Sequence, residues 1–271
     1  MIPAVLFFRT NAIAMPLLAI ALALPVCDAR AQEIRGYLDK AAIPNSLKLL
    51  PPPPAAGSPA MALDQAVAQQ ALAMQGSTRF AQATHDAQYL PTSAHQFACA
   101  AGVPIDTAST PALYRLLERT QVDFAEANAV AKAKYHRSRP FVVNRQPTCT
   151  PADEANLRQN GSYPSGHSAL GWGWAMILSE IDAAHADAIL ARGRSYGESR
   201  LICNVHWQSD VVEGRHMAAA TVARLHDNAA FRSDLETARN EIKDAHTRRL
   251  KPNDNCTAQA QTLKMRPASA L

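Results

Sequence analysis

Apolar residues recur at helical spacing along most of the chain, and the alternation expected of strands is nearly absent. Met61 to Met74 is a first helical stretch, rich in Ala, Gln and Leu. Pro111 to Arg139 is a second, with Leu113, Leu116, Leu117, Phe124 and Val130 at mostly helical intervals and Pro140 as its stop. Further helices are expected from near Ser165 through Ile181, from Ala184 to about Cys203, and from about His206 to His226. Between them, residues 141–161 read as a loop broken by Pro147, Pro151, Asn160 and Gly161. The pattern predicts an all-α, single-domain helical bundle over residues 60–250. A Pro-rich leader, residues 32–59, precedes it. Pro51 to Pro54 favour polyproline II, which suits a strap lying over the surface. Residues 251–271 read as a mobile tail unless Cys256 tethers them.

Residues 1–31 look like a secretory signal peptide rather than part of the fold. Arg9 precedes an apolar run from Ala12 to Val26, and Ala29-Arg30-Ala31 fits a small-x-small cleavage site. Leu24-Pro25-Val26-Cys27 falls short of a lipoprotein box because Val26 is too bulky beside the cysteine. The expected location is periplasmic or secreted. Downstream, the longest apolar stretch, Ala169 to Leu178, is too short to span a bilayer, so no stable membrane insertion is expected.

With 271 residues, 48% of them hydrophobic and 18% charged, the chain can bury a sizeable core. A formal charge of +4 on scattered basic residues argues against nucleic acid as a partner. Loss of Cys27 with the signal would leave Cys99, Cys149, Cys203 and Cys256, an even number suited to an oxidising compartment. Three pairings are open, and Cys203 reads equally well as a buried free thiol. The cysteine spacings are too wide for a zinc knuckle.

Three clusters, each weak alone, occur in a fixed order. Lys132 and Arg139 stand seven residues apart, two turns along one face of a continuous helix. Gly161-Ser162-Tyr163-Pro164-Ser165-Gly166-His167 follows. There Ser165 can cap a helix, Gly166 lets backbone approach a ligand, and free N–H groups at a helix start bind phosphate oxygens. Last come Ser199-Arg200, His206 and Asp210, the His and Asp side by side if the segment is helical. A carboxylate on one ring nitrogen fixes the tautomer and leaves the other nitrogen as nucleophile or base.

Lys-x6-Arg-Pro, Pro-Ser-Gly-His and Ser-Arg-x5-His-x3-Asp together resemble the acid phosphatase and vanadium haloperoxidase superfamily, of the type 2 phosphatidic acid phosphatase kind. Gly-Ser-Tyr-Pro-Ser-Gly-His resembles the signature of bacterial class A non-specific acid phosphatases. Ser168 and Asn204 stand where that class often has Thr and Gly, and Asn tolerates left-handed backbone. The resemblance implies a secreted or periplasmic phosphatase for small phosphate monoesters (nucleotides, sugar phosphates, aryl phosphates), with phosphotransfer as a side reaction. His206 would be the nucleophile, Asp210 its partner, and His167 the acid and base. Lys132, Arg139, Arg200, Ser165 and Gly166 would bind the phosphoryl oxygens. No cofactor is expected, and vanadate or phosphate should bind as inhibitor or product. A homo-oligomer is expected from the class. Three alternatives share parts of the pattern: a vanadium-dependent haloperoxidase, a membrane lipid-phosphate phosphatase, and a non-catalytic phosphate-binding helical protein. His85, His95, His136, His185, His216, His226 and His246 match no motif and read as surface or satisfied core residues. Tyr163, Trp172, Trp174 and Trp207 read as structural.

Overall fold

The computed structural model describes residues 34–89 and 93–267. The expected signal peptide lies outside the described residues. In chain order the helices are α1 (Ser46–Leu49), α2 (Pro59–Leu72), α3 (Thr78–His85), α4 (Ala98–Ala101), α5 (Pro111–Tyr135) and α6 (Pro140–Asn144). There follow α7 (Glu154–Gln159), α8 (Gly166–Ile181), α9 (Ala186–Ile202), α10 (Gln208–Leu225), α11 (Ala229–Thr247) and α12 (Cys256–Leu263). No strand occurs among the described residues, and no helix there is long and apolar enough to cross a membrane.

Helix α8 is buried on nearly every side, as its continuous run of Ala, Leu, Gly, Trp and Ile requires. It packs chiefly against α9 and α10, with α5 and α11 alongside. Trp174 lies at the centre of the main core with Phe97, Phe124 and Tyr196, and its indole N–H donates to the Leu117 carbonyl at 3.2 Å. Trp207 is buried as well, whereas Trp172 is only half-buried against that core.

Two glycines set the separation of the central helices. A Cβ on Gly193 of α9 would lie 2.9 Å from the Gly171 carbonyl oxygen of α8. One on Gly214 of α10 would lie 2.5 Å from the Ser165 carbonyl oxygen, at the start of α8. Both helix pairs meet at backbone distance, which no larger residue permits.

Several sequence expectations are corrected. Helix α5 ends at Tyr135, four residues early, because His136 turns left-handed at φ 40°. Arg139 is extended and caps α6, with Pro140 in the first helical position, so Lys132 and Arg139 do not share one helix face. The expected loop at 141–161 contains α6, a 3₁₀ turn at Pro151–Asp153, and α7. His206 precedes α10 instead of lying in it.

The leader is more than a strap. Tyr37 and Leu50 are buried, and Asp123 accepts the backbone N–H groups of Tyr37 and Leu38 at 3.0 and 2.9 Å. Only the stretch around Pro51 runs over the surface, where its carbonyl accepts the Tyr163 hydroxyl at 2.7 Å.

Cys99 pairs with Cys256 and Cys149 with Cys203, so Cys203 is not a free thiol. The first bridge anchors α12, and the tail is tethered there.

Gly214→Ala should cost about 2 kcal/mol, since the new methyl must push α10 off α8. Thermal unfolding should show a fall of roughly 4–8 °C in Tm; an unchanged Tm would mean that this contact is looser than described.

Candidate active site

The three motifs converge on one cavity of about 290 Å³, whose walls include Lys132, Arg139, Gly166, His167, Arg200 and His206. Each part arrives from a different element. Lys132 comes from the last turn of α5, Arg139 from the cap of α6, and Arg200 from the last turn of α9. His167 sits in the first turn of α8, and His206 in the connection between α9 and α10.

That connection is held by its backbone. Val205 and His206 both donate to the Arg200 carbonyl, at 3.2 and 3.3 Å. Asn204 is left-handed at φ 60°, the conformation Asn tolerates best after Gly. Its amide nitrogen donates to Asn144 Oδ1 at 3.1 Å and to the Gln146 carbonyl at 3.0 Å. The Cys149–Cys203 bridge closes the same corner covalently.

The three cations have neutral partners. Arg139 Nε donates to the carbonyls of Leu157 and Asn160, and Nη1 to that of Val205 at 3.0 Å. Lys132 Nζ donates to the Gly161 carbonyl at 3.0 Å. Arg200 is buried, its Nε has no partner, and its Nη1 lies 3.9 Å from Cys203 Sγ. Among the described residues no carboxylate makes a salt bridge with any of the three, whereas buried Arg192 pairs with Asp86. Burial lowers the proton affinity of all three cations, with Lys132 falling to about 7, and repulsion from neighbouring cations adds to this for Lys132 and Arg139.

His206 is held in one tautomer by its two partners. Its Nδ1 faces Asp210 Oδ2 at 3.3 Å, and its Nε2 accepts from Arg139 Nη1 at 3.1 Å. An arginine can only donate, so Nε2 carries the lone pair and Nδ1 the hydrogen. Burial first, then Arg139, Lys132 and Arg200, pushes its pKa well below 6.5 and keeps that lone pair free.

His167 is oriented by backbone. Its Nε2–H donates to the Ala87 carbonyl at 2.9 Å, which leaves Nδ1 3.1 Å from the Tyr89 hydroxyl. Burial and then Arg200 lower its pKa well below 6.5 as well.

Ser165 caps α8, as its place in the sequence predicts. Its Oγ accepts from the Ser168 N–H at 3.2 Å and from the Ser168 hydroxyl at 2.8 Å, while its own N–H donates to the Asp210 carbonyl. The first intrahelical bond of α8 runs from Ala169 to Ser165, so the N–H groups of Gly166 and His167 precede the helix ladder. A Cβ on Gly166 would meet only the Lys132 side chain, at 3.9 Å, on the cavity side.

Four participants lie outside the sequence motifs. Tyr89 and Ala87 flank His167. Arg137 bridges two buried carboxylates, Asp210 Oδ1 and Asp64 Oδ2, at 2.6 Å each. Asp64 also accepts the Ser209 N–H at 2.8 Å and the Ser209 hydroxyl at 2.6 Å. Asp210 is thus clamped by Arg137 on one oxygen and by the Trp207 N–H and His206 on the other. Arg137 stands two residues from Arg139, yet nothing in the sequence marks Asp64 as its partner. His136, read as uninvolved, lines a neighbouring recess together with Lys132 and Gly166.

Two buried imidazoles thus share one cavity with three cations that have no salt-bridged carboxylate, an arrangement suited to an anionic ligand. Residues 122–232 match the family model described as the PAP2 superfamily. The chain is 43% identical over 209 residues to the acid phosphatase of Zymomonas mobilis, a match covering 77% of this chain and 79% of that protein. It is 42% identical over 208 residues to the non-specific acid phosphatase of Providencia stuartii, covering 76% and 84%. It is 41% identical over 202 residues to that of Salmonella typhimurium, covering 74% and 81%. The chain belongs to the PAP2 superfamily and, within it, to the acid phosphatase family.

Arg137→Met should lower stability by about 3 kcal/mol in urea unfolding, because it strands two buried carboxylates. It should also reduce kcat more than it raises KM, since Arg137 acts on the substrate only through Asp210 and His206. Wild-type stability and kcat would show the clamp to be dispensable.

Proposed function

We propose that this protein is a periplasmic, non-specific acid phosphatase that hydrolyses small phosphate monoesters through a phosphohistidine at His206. One observation supports the reading: three cations without a salt-bridged carboxylate, Arg139 and Arg200 buried and Lys132 half-buried, line one cavity with two imidazoles. A phosphoryl group in transfer carries its charge on the non-bridging oxygens, and fixed cations with helix-start N–H groups stabilise that charge without reorganising.

In the first step His206 Nε2 attacks phosphorus, the bond to the leaving oxygen breaks, and His167 gives that oxygen its proton. The alcohol departs and the phosphoryl group remains on His206. Asp210 holds Nδ1–H and balances the charge that develops on the ring. In the second step neutral His167 takes a proton from water, the water oxygen attacks phosphorus, and the nitrogen–phosphorus bond breaks to release phosphate. An alcohol in place of water would give phosphotransfer.

Because Nε2 of His167 is committed to Ala87, Nδ1 is the atom that carries the transferable proton, and the Tyr89 hydroxyl must yield it to the ester oxygen. A bound phosphate dianion offsets the cations that keep His167 neutral, so substrate itself drives the protonation that the first step needs. Nucleotides, sugar phosphates and aryl phosphates share the phosphoryl group the cavity would read. The periplasmic location rests on the signal-like residues 1–31 and on two disulfides, which suit an oxidising compartment.

Hydrolysis of p-nitrophenyl phosphate at pH 5 to 7 tests the activity. His206→Ala should abolish turnover. His167→Ala should lose on the order of 10²–10⁴-fold with alkyl phosphates and much less with p-nitrophenyl phosphate, whose leaving group needs no proton. Label trapped from substrate should appear on His206; its absence in an active enzyme would refute the covalent route.

The pH profile has a definite sign. Lys132 loses its charge above about pH 7 and His167 must carry a proton to act, so kcat/KM should be highest below neutrality and fall on the alkaline side. An optimum near pH 9 would overturn these roles.

A further inference from the structure

Away from the cavity, the structure gathers two histidines around one aspartate. Asp182 ends α8, and the 3₁₀ turn Ala183–His185 follows it directly, with the His185 N–H bonded to the Asp182 carbonyl at 3.1 Å. Side chains three apart in 3₁₀ geometry eclipse, so Asp182 and His185 point the same way. His246 comes from the last turn of α11 and completes the group.

His185 Nδ1 lies 3.0 Å from Asp182 Oδ1, and His246 Nε2 lies 3.1 Å from Asp182 Oδ2. The two rings are parallel within 4°, with centroids 4.8 Å apart. The three donor atoms all lie within 4.8 Å of one another.

We propose that Asp182, His185 and His246 form a structural site for a divalent transition metal of the zinc type, pinning the end of α11 to the junction of α8 and α9. The donor set is a carboxylate and two imidazoles, which suits Zn²⁺ with water or another small ligand in the fourth position. Tetrahedral bonds of about 2.0–2.1 Å put donor atoms roughly 3.3 Å apart. His185 and His246 face different oxygens of Asp182, at 3.0 and 3.1 Å, so the carboxylate would meet the ion through both oxygens, and a tilt of the partly exposed rings closes the remaining spread of up to 4.8 Å.

Burial differs across the group in the way an entry path requires. Asp182 is 6% exposed while the His185 and His246 side chains are 38% and 31% exposed, so an ion arrives from solvent and meets an inner carboxylate. The wall behind the rings is Gly102. A Cβ there would stand at ordinary contact distance, 3.5 Å from His185 Nε2 and 3.8 Å from His246 Cε1.

None of the three residues lines the catalytic cavity, so the proposal stands independently of the phosphatase reading.

Calorimetric titration of Zn²⁺ into chelator-stripped, full-length protein should show one ion bound per chain and a Tm raised by the bound metal. Co²⁺ as a second probe should give the visible absorption of a four-coordinate nitrogen–oxygen site. His246→Ala and, separately, His185→Ala should each weaken Zn²⁺ binding by at least about tenfold and remove the Tm increment. His206→Ala should bind Zn²⁺ as the wild type does. The partly exposed His185 offers a mild substitution should His246→Ala fold poorly. EDTA should lower Tm and leave phosphatase activity at assay temperature unchanged. No binding at 100 µM Zn²⁺, or binding unaltered in both histidine variants, would overturn the assignment.

Discussion

Positive charge without a built-in counterion is the constraint around which this molecule is organised. Lys132, Arg139 and Arg200 converge in a partly buried space where burial depresses the proton affinity of all three, and the fold holds them there without a salt-bridged carboxylate. It does so with dipoles. The carbonyls of Gly161, Leu157, Asn160 and Val205 aim at Lys132 and Arg139, fixing direction while leaving the net charge intact. Arg192 and Arg137 show the other solution, pairing with Asp86 and with Asp64 and Asp210, and both serve as scaffolding. An anion arriving in the cradle supplies what the protein withholds.

The imidazoles depend on that same field. Both are kept neutral by burial and by the neighbouring cations, yet their hydrogen bonds assign them different work. Arg139 and Asp210 fix the His206 tautomer with Nε2 open, whereas the Ala87 carbonyl fixes His167 with Nδ1 as its active atom. Two chemically identical rings are held in different tautomers because their partners differ. The Asp64–Arg137 clamp extends this ordering a layer outward, so that α2 contributes to a site that none of its side chains lines.

Close helix packing carries the geometry. Gly193 brings α9 to backbone distance from α8, and Gly214 does the same for α10, which fixes Arg200, His206 and Asp210 relative to the start of α8. The two disulfides act at the edges of this arrangement, one beside the connection that bears His206 and one at α12. The Asp182–His185–His246 group lies at the far end of α8 from His167, where the same central helix hands over to α9. A metal there would brace the scaffold that the catalytic end relies on.

The sequence alone carried the all-helical class, because apolar spacing reports which face each helix buries. Lys132, Arg139, His167, Arg200 and His206, which line one cavity, and Asp210, which faces His206, all belong to motifs legible in the sequence. Asn204 could be read there too, as a left-handed residue standing in for glycine. Helix ends were less legible. The break at His136 depends on the loop of Gly161 packing against the end of α5, where a Cβ would lie 2.7 Å from the Lys132 carbonyl, and no local signal encodes that contact. The cysteine pairing, the Asp64–Arg137 clamp, the Tyr89 and Ala87 contacts with His167, and the meeting of His246 with Asp182 were likewise decided by the tertiary structure. Each joins residues distant along the chain through distances and directions, and these exist only once the helices have packed.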